Sequence, residues 1–189
     1  MYARHLARLR GSLVQMLEIG LGTGAAQIAM WRSFFRELNY TALEINGTVA
    51  AAVPTGSAQS RVLVGDVGDS SFRSAVAEQL SALDFVLDDG SHRSADMVAA
   101  FEEFFPLVRP GGVYVVEDTM VDPAFLLFVH NLTVEMNSFS ARRYGNFGWN
   151  CDDASVLAGK LGSIAFYDGI LVVEKVDRSC YDAMPMNLP

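Results

Sequence analysis

The sequence predicts an α/β fold built around a mostly parallel β-sheet. Two observations favour this fold class: short β-rich apolar runs alternate with longer helical segments, and the last two runs are separated only by Asp168-Gly169. Alternation at this spacing is typical of βαβ units, whose crossovers are right-handed. The 189 residues correspond to a single domain, residues 1–189.

The first five predicted strands are separated by helices or short connections. These strands lie at residues 13–19, 40–45, 61–64, 83–89 and 112–118. Helices are predicted over residues 24–38, 70–80 and 94–108. Ser70 or Ser71 is expected to cap the second helix, and Pro110-Gly111-Gly112 to end the third. Residues 1–12 are interpreted as an N-terminal extension, either a short helix or the stub of a longer native N-terminus.

The C-terminal part of the chain breaks the alternation. Residues 162–167 and 170–176 are predicted strands, and the Asp168-Gly169 pair between them is a strong signal for an antiparallel hairpin. Residues 138–153 are rich in aromatic residues and glycine and are predicted to form an irregular lid loop. Three aromatic side chains of this loop either stack on a ligand or anchor the loop to the core: Tyr144, Phe147 and Trp149.

Composition excludes several classes of protein and partner. Apolar residues make up 51% and charged residues 19%, which argues against disorder. The formal net charge of −8 is a poor match for a phosphate backbone, so we expect no nucleic-acid partner. No apolar run approaches the roughly 20 residues of a membrane-spanning helix, so we expect no membrane partner. Cys151 and Cys180 lack the spacing of a disulfide framework or zinc site, which favours a reducing, cytoplasmic location.

The turn after the first strand carries the pattern Glu18-Ile-Gly20-Leu-Gly22-Thr-Gly24. Glycine lets the backbone approach a ligand, and the following helix offers free N–H groups. The glycine pattern alone would also suit a nicotinamide dinucleotide. Glu18 shifts the balance towards S-adenosylmethionine, because the methionyl ammonium of that cofactor is cationic. The alternative is a tight glycine turn with solvated acids around it.

Acidic residues also follow the next strands. Glu44 closes the second strand, where a carboxylate can accept hydrogen bonds from both hydroxyls of a ribose. Asp66 follows the third strand and is placed for the adenine side of the same cofactor. Asp88, at the end of the fourth strand, is a further candidate for cofactor binding, or else it caps a helix and faces water.

A second group of acids follows the fourth and fifth strands, in Asp88-Asp89-Gly90-Ser91-His92 and Glu117-Asp118-Thr119. Neighbouring strands lie about 4.8 Å apart, so Asp89, Glu117 and Asp118 are expected to converge at one edge of the sheet. Clustered carboxylates repel one another unless a cation intervenes, and oxygen ligands favour Mg²⁺. The alternative is that these acids cap helices and face water.

His92 follows Asp89 by three residues and is a candidate general base. A helix-capping role, or support of a metal ligand, is the alternative. His5 and His130 have no comparable acidic neighbours in the sequence, and His130 is interpreted as a partly buried structural residue.

These motifs together resemble a known family. LEIGLGTG, WRSFF, GDVGDSSF, FVLDDGSH and LVRPGGVYVVEDT are similar to the Mg²⁺-dependent macrolide-sugar O-methyltransferases of the mycinamicin and macrocin type, grouped with cephalosporin-hydroxylase-like proteins. The resemblance covers roughly residues 13–176 and implies one methyltransferase domain with a Rossmann-like seven-stranded sheet, parallel with a C-terminal antiparallel hairpin. It also implies that Asp89, Glu117 and Asp118 bind Mg²⁺, that His92 is the base, and that S-adenosylmethionine is the methyl donor.

The function implied is methyl transfer to a hydroxyl of a sugar-bearing or other small natural product, and a homo-oligomer is a candidate assembly. An NAD-dependent oxidoreductase would share the glycine turn but would not need the two acidic motifs or the hairpin. A non-haem iron oxygenase usually has two histidines and one carboxylate, and His92 has no histidine partner in a motif. A non-catalytic S-adenosylmethionine-binding or scaffolding protein is the third alternative.

Overall fold

The structure, a computed structural model, describes residues 1–22, 24–53, 60–143, 157 and 159–178. Its centre is one seven-stranded sheet with the order β3-β2-β1-β4-β5-β7-β6. The strands are β1 (Leu13–Ile19), β2 (Glu37–Glu44), β3 (Ser60–Val64), β4 (Leu83–Asp88), β5 (Val108–Val116), β6 (Leu161–Tyr167) and β7 (Ile170–Lys175). Strands β1 to β5 are parallel, and β7 and β6 are antiparallel additions beside β5. The predicted α/β fold with a terminal hairpin is confirmed.

In the described part of the chain, six α-helices pack around this sheet: α1 (Tyr2–Leu6), α2 (Ala25–Phe34), α3 (Gly47–Ala51), α4 (Ser70–Ala77), α5 (Ser94–Phe104) and α6 (Phe125–Arg143). Short 3₁₀ turns follow α1 and α5. Within the described ranges, no helix combines the length and apolar character that crossing a bilayer requires.

Each face of the sheet buries its own hydrophobic core. Side chains of α1 and α2 pack on one face, and those of α4, α5 and α6 pack on the other. Successive strand residues alternate between the two cores: Val14 and Met16 belong to the α1–α2 core, whereas Leu17 and Ile19 belong to the opposite one. Because both faces are covered, the central strands are almost continuously apolar.

Two strands begin several residues earlier than the sequence predicts. β2 begins at Glu37 rather than at residue 40, because Leu38 and Tyr40 are buried and pair in register with β1. α2 accordingly ends at Phe34 instead of residue 38. β5 begins at Val108, so Pro110-Gly111-Gly112 lies inside the irregular first half of this strand and does not end a helix.

The helices differ from the sequence predictions in three places. α4 is capped by Asp69, whose carboxylate accepts the N–H of Ser71, rather than by Ser70 or Ser71. α3, which was not predicted, is capped by the side chain of Asn46. The predicted lid loop is wrong for residues 138–143, which are the last turns of α6. Residues 144–153, with the three loop aromatics, and both cysteines lie outside the described residues.

The carboxyl ends of the central strands are joined by backbone hydrogen bonds that continue past the strands. The N–H of Gly20 donates to Leu43 O (2.9 Å), and the N–H of Asp89 donates to Ile19 O (2.9 Å). Gly20 has a φ of +84°, and a Cβ added there would lie 2.2 Å from the carbonyl oxygen of Asp89. Only glycine therefore allows the turn after β1 to pass this close to the end of β4.

Substituting Gly20 tests this contact. Gly111→Ala is the matched control, since Gly111 has a φ of +82° with nothing within 4 Å of an added Cβ. We expect Gly111→Ala to lower the free energy of unfolding by about 1–2 kcal/mol through backbone strain alone. Gly20→Ala should cost about 1–3 kcal/mol more, because the methyl group collides with Asp89. Urea unfolding measures both, and equal losses would contradict the close approach.

Candidate active site

A cleft of about 390 Å³ opens at the carboxyl ends of β1 to β4. It lies where the strand order reverses between β1 and β4, the usual place for a ligand in an open α/β sheet. Six residues predicted from the sequence line it: Gly20, Gly22, Glu44, Asp66, Asp89 and His92. Five others do not: Glu18, Gly24, Asp88, Glu117 and Asp118.

Glu44 is held in place by backbone groups of two neighbouring segments. One carboxylate oxygen accepts the N–H of Leu21 (3.0 Å), and the other accepts the N–H of Asn46 (2.7 Å). Each oxygen retains a lone pair for a ligand hydroxyl. Ile45, which sequence reasoning did not select, also lines the cleft with 68% of its surface exposed. Together these residues offer acceptors beside an apolar wall.

Glu18 lies beneath the cleft, with none of its surface exposed. Its carboxylate accepts hydrogen bonds from the hydroxyl of Tyr40 and from Nε1–H of Trp31 (3.4 Å). Burial raises the pKa of Glu18 to about 7, and these two hydrogen bonds offset only part of that effect. Glu18 is therefore a buried acid under the glycine turn rather than a side chain on the cleft surface.

Asp88 is also buried, so the alternative in which it faces water is wrong. Oδ1 accepts the N–H of Gly90 (3.4 Å), and Oδ2 has no hydrogen-bond partner among the described residues. Burial raises the pKa of Asp88 to about 7. Asp66, in contrast, is exposed at the cleft and accepts the N–H of Gly68 (2.8 Å).

Asp89, His92 and Asp118 meet at one end of the cleft. Each offers one ligand atom, and the three atoms lie within 4.8 Å of one another. His92 Nε2 is 4.0 Å from Asp89 Oδ1 and 3.8 Å from Asp118 Oδ2. Burial and the nearby Glu117 raise the pKa of Asp89 to about 6, although His92 lowers it in part. Two carboxylates and one imidazole at this spacing could hold a single metal ion.

The backbone at this cluster is strained. His92 and Asp118 have φ values of +55° and +52°, and no other non-glycine residue in the described ranges has a positive φ. Such conformations cost free energy and occur most often at functional sites. Both unusual torsions fall on the residues that bring their side chains to Asp89.

Glu117 is beside the cluster but has a partner that sequence reasoning missed. Its Oε1 accepts a hydrogen bond from the hydroxyl of Tyr2, 115 residues away in the chain. Burial raises the pKa of Tyr2 above its ordinary range. Strand alternation was an available signal, since it places Glu117 on the sheet face that α1 and α2 cover. No local motif, however, identifies Tyr2.

The other two histidines lie outside the cleft. His5 is buried, with Nδ1 2.9 Å from Glu174 Oε1 and Nε2 2.8 Å from the hydroxyl of Tyr167. These contacts support a structural role. His130 is exposed on α6, so the expectation that it is partly buried is wrong.

The strand order, the glycine turn after β1 and the acidic strand ends define a Rossmann-like methyltransferase fold. Residues 17–119 match the model of the family described as "Methyltransferase domain", and the chain belongs to this family. The methyltransferase family that the sequence motifs imply is thereby confirmed.

Relatives of known activity match part of the chain. Mycinamicin VI 2''-O-methyltransferase of Micromonospora griseorubida is 36% identical over 123 residues, which are 62% of this chain and 30% of that protein. The 8-demethyl-8-alpha-L-rhamnosyl tetracenomycin-C 2'-O-methyltransferase of Streptomyces olivaceus is 34% identical over 132 residues, 66% of this chain and 34% of that protein. The matched segments thus span about a third of these relatives.

A similar structure has also been solved. The MycE methyltransferase from the mycinamycin biosynthetic pathway, in complex with Mg and SAH, superposes with a TM-score of 0.79 at 27% identity. The match covers all of this chain and 51% of MycE. A further MycE structure, with Mg, SAH and mycinamycin VI, gives a TM-score of 0.78 at 26% identity, covering all of this chain and 50% of that one.

The burial of Glu18 predicts a pH-dependent stability. With a folded pKa of about 7 against 4.5 when exposed, Glu18 takes up a proton on folding. Its contribution to stability is therefore fully present below about pH 4.5 and is lost as the pH rises through 7, by about 3 kcal/mol in all. We expect Glu18→Gln to remove this part of the fall in unfolding free energy between pH 5 and 8.

Urea unfolding of the ligand-free protein across this pH range measures the effect. Glu37→Gln, at an exposed position of β2, is the control and should keep the wild-type pH dependence. A Glu18→Gln variant with an unchanged pH dependence would show that Glu18 is ionised in the folded protein.

Proposed function

We propose that this chain transfers a methyl group from S-adenosylmethionine to a hydroxyl of a small natural product, assisted by a divalent cation. One observation carries the proposal: Asp89 lines the cleft and also belongs to the cluster with His92 and Asp118. A cofactor cleft and a cation site that share a residue hold two reactants next to each other.

The cofactor would lie along the carboxyl ends of β1, β2 and β3. Gly20 and Gly22 allow its methionyl part to approach the backbone, and Glu44 accepts the ribose hydroxyls. Asp66 and Ile45 flank the adenine side. Glu18 and Asp88 do not contact the cleft, but as buried acids they favour a cationic ligand in it. Gly24 belongs to the glycine turn and supports its conformation.

The cation would be held by Asp89 and Asp118, with Glu117 as the third oxygen ligand. All-oxygen coordination favours Mg²⁺. When bound, Mg²⁺ supplies a Lewis acid that lowers the pKa of a nearby hydroxyl. His92 Nε2, which lies within 4.0 Å of both aspartates, accepts the proton of the acceptor hydroxyl. The acceptor oxygen forms its bond to the methyl carbon as the sulfur–carbon bond breaks.

The relatives support the acceptor class. Their names describe O-methylation of mycinamicin VI, of a rhamnosyl tetracenomycin-C and of an L-olivosyl-oleandolide, and the last two names include a sugar. We therefore propose a sugar hydroxyl of a glycosylated natural product as the acceptor. A cytoplasmic location, a homo-oligomer and a single domain over residues 1–189 stay predictions. Membership of the methyltransferase family removes the support for an NAD-dependent oxidoreductase.

Calorimetry with Asp118→Asn tests whether the proposed cation site is separate from the cofactor cleft. We expect the wild-type chain to bind S-adenosylmethionine and Mg²⁺. The variant should lose at least about tenfold in Mg²⁺ affinity, the usual loss when a charged ligand interaction is removed. Its affinity for S-adenosylmethionine should change less than twofold, since Asp118 does not line the cleft. Asparagine tolerates a positive φ, so the backbone strain is unchanged.

Asp69→Asn is the matched control, because this exposed aspartate only caps α4 and asparagine caps equally well. A methyl transfer that persists in EDTA would contradict the role of the cation. Absence of any heat with S-adenosylmethionine would favour the scaffolding alternative.

A His92→Asn variant tests the proposed base. We expect kcat to fall by about 10²–10⁴, the usual contribution of general-base catalysis. Because His92 lines the cleft and belongs to the cluster, the affinities for Mg²⁺ and S-adenosylmethionine are measured separately by calorimetry. Turnover is measured with an acceptor found by screening glycosylated vicinal diols. His130→Asn, on the exposed face of α6, is the control and should be fully active. If His92→Asn keeps most of its turnover, His92 is structural and another group takes the proton.

A further inference from the structure

The phenol of Tyr2, on α1, reaches the acidic end of the sheet. Strand alternation places Glu18 and Glu117 on the face covered by α1 and α2. The hydroxyl of Tyr2 donates to Glu117 Oε1, and the carboxylates of Asp89 and Glu18 are near enough to act on the same phenol. Tyr2 thus joins helix α1 to Glu117, beside the cluster of Asp89, His92 and Asp118.

The ring of Tyr2 is fixed by aromatic neighbours. Its centroid lies 5.2 Å from that of Trp31 and 6.5 Å from that of Phe85, with edge-to-face geometry in both pairs. Such packing orients a phenol while leaving its hydroxyl available for one directed hydrogen bond. The hydroxyl of Tyr2 points towards Glu117.

Helix α1 is also anchored independently of that hydroxyl. His5 contacts Glu174 and Tyr167, as described above, and Leu6 is fully buried. Arg8, just after α1, donates to the carbonyl of Gly111 (3.1 Å). Removing the Tyr2 hydroxyl should therefore leave the helix docked.

We infer that Tyr2 is a positioning residue for Glu117: it occupies one carboxylate oxygen and leaves the other to bind the divalent cation beside Asp89 and Asp118. This inference rests on the proposed function. Without a donor, Glu117 is repelled by the two neighbouring aspartates and turns away from them. Hydrogen-bond partners of ligating carboxylates have this role in metal sites, and removing one typically costs 10–100-fold in metal affinity.

Titration of Mg²⁺ into the full chain by calorimetry tests the inference without any acceptor. Tyr2→Phe removes only the hydroxyl. We expect its Mg²⁺ affinity to fall by about 10–100-fold, while its S-adenosylmethionine affinity stays within twofold of wild type. The matched control is Tyr167→Phe, which removes a phenol hydroxyl from the other anchor of α1 and should keep wild-type Mg²⁺ affinity.

A double variant adds a second, independent readout. Glu117→Gln weakens Mg²⁺ binding by itself, and adding Tyr2→Phe should cause little further loss if Tyr2 acts through Glu117. Thermal unfolding of each variant shows whether α1 remains docked.

Three results would overturn the inference. The first is a Tyr2→Phe variant that does not lose Mg²⁺ affinity. Unchanged affinity would show that the hydroxyl has no effect on the cation site, and tighter binding would show that Tyr2 holds Glu117 away from the cation. The second is an equal loss in Tyr167→Phe, which would assign the effect to helix docking. The third is full additivity in the double variant. A wild-type chain that binds no divalent cation is a distinct result, because it refutes the proposed cation site itself.

Discussion

The backbone contact between Gly20 and Asp89 is the constraint on which both parts of the candidate site depend. Because Gly20 has no side chain, the turn after β1 passes directly against the end of β4. Asp89 is consequently at the wall of the cleft and at the edge of the cation cluster at once. Displacement of a methyl group requires reacting atoms about 3–3.5 Å apart. Under the proposed function, this shared wall residue would place the bound donor next to the bound acceptor.

Negative charge is concentrated at the same edge of the sheet. Glu18 and Asp88 are buried and Asp89 is half-buried, and each has a raised pKa in the ligand-free protein. Burial disfavours the ionised form of these acids until a cation compensates their negative charge. The two proposed ligands, a sulfonium cofactor and a divalent metal ion, are both cationic. Binding either one would therefore stabilise the fold as well as prepare the site.

Sequence reasoning succeeded where local pattern and chain topology determine the answer. The strand–helix alternation places the ends of β1 to β4 at one edge, so the sequence alone predicts that Gly20, Glu44, Asp66 and Asp89 line a common site. The Asp168-Gly169 turn identified the hairpin for the same reason.

Sequence reasoning failed where a contact between residues far apart in the chain determines the structure. The start of β2 depends on pairing of Leu38 with β1, which the apolar pattern of the segment does not encode. Glu18 was expected to face the cofactor, yet Tyr40 and Trp31 enclose it beneath the turn. The partner of Glu117 lies on α1, 115 residues earlier in the chain.

The cluster and the neighbouring Glu117 are held in place by two physically different means. Asp89 and Glu117 directly follow their strands, and their N–H groups donate to Ile19 O (2.9 Å) and Asp88 O (2.8 Å), so the sheet fixes their backbones. His92 and Asp118 lie beyond these hydrogen bonds, and their left-handed torsions turn the side chains back towards Asp89. Such torsions persist only where the surroundings over-determine them. The rigid sheet edge therefore makes the strained conformation of the more distant residues possible.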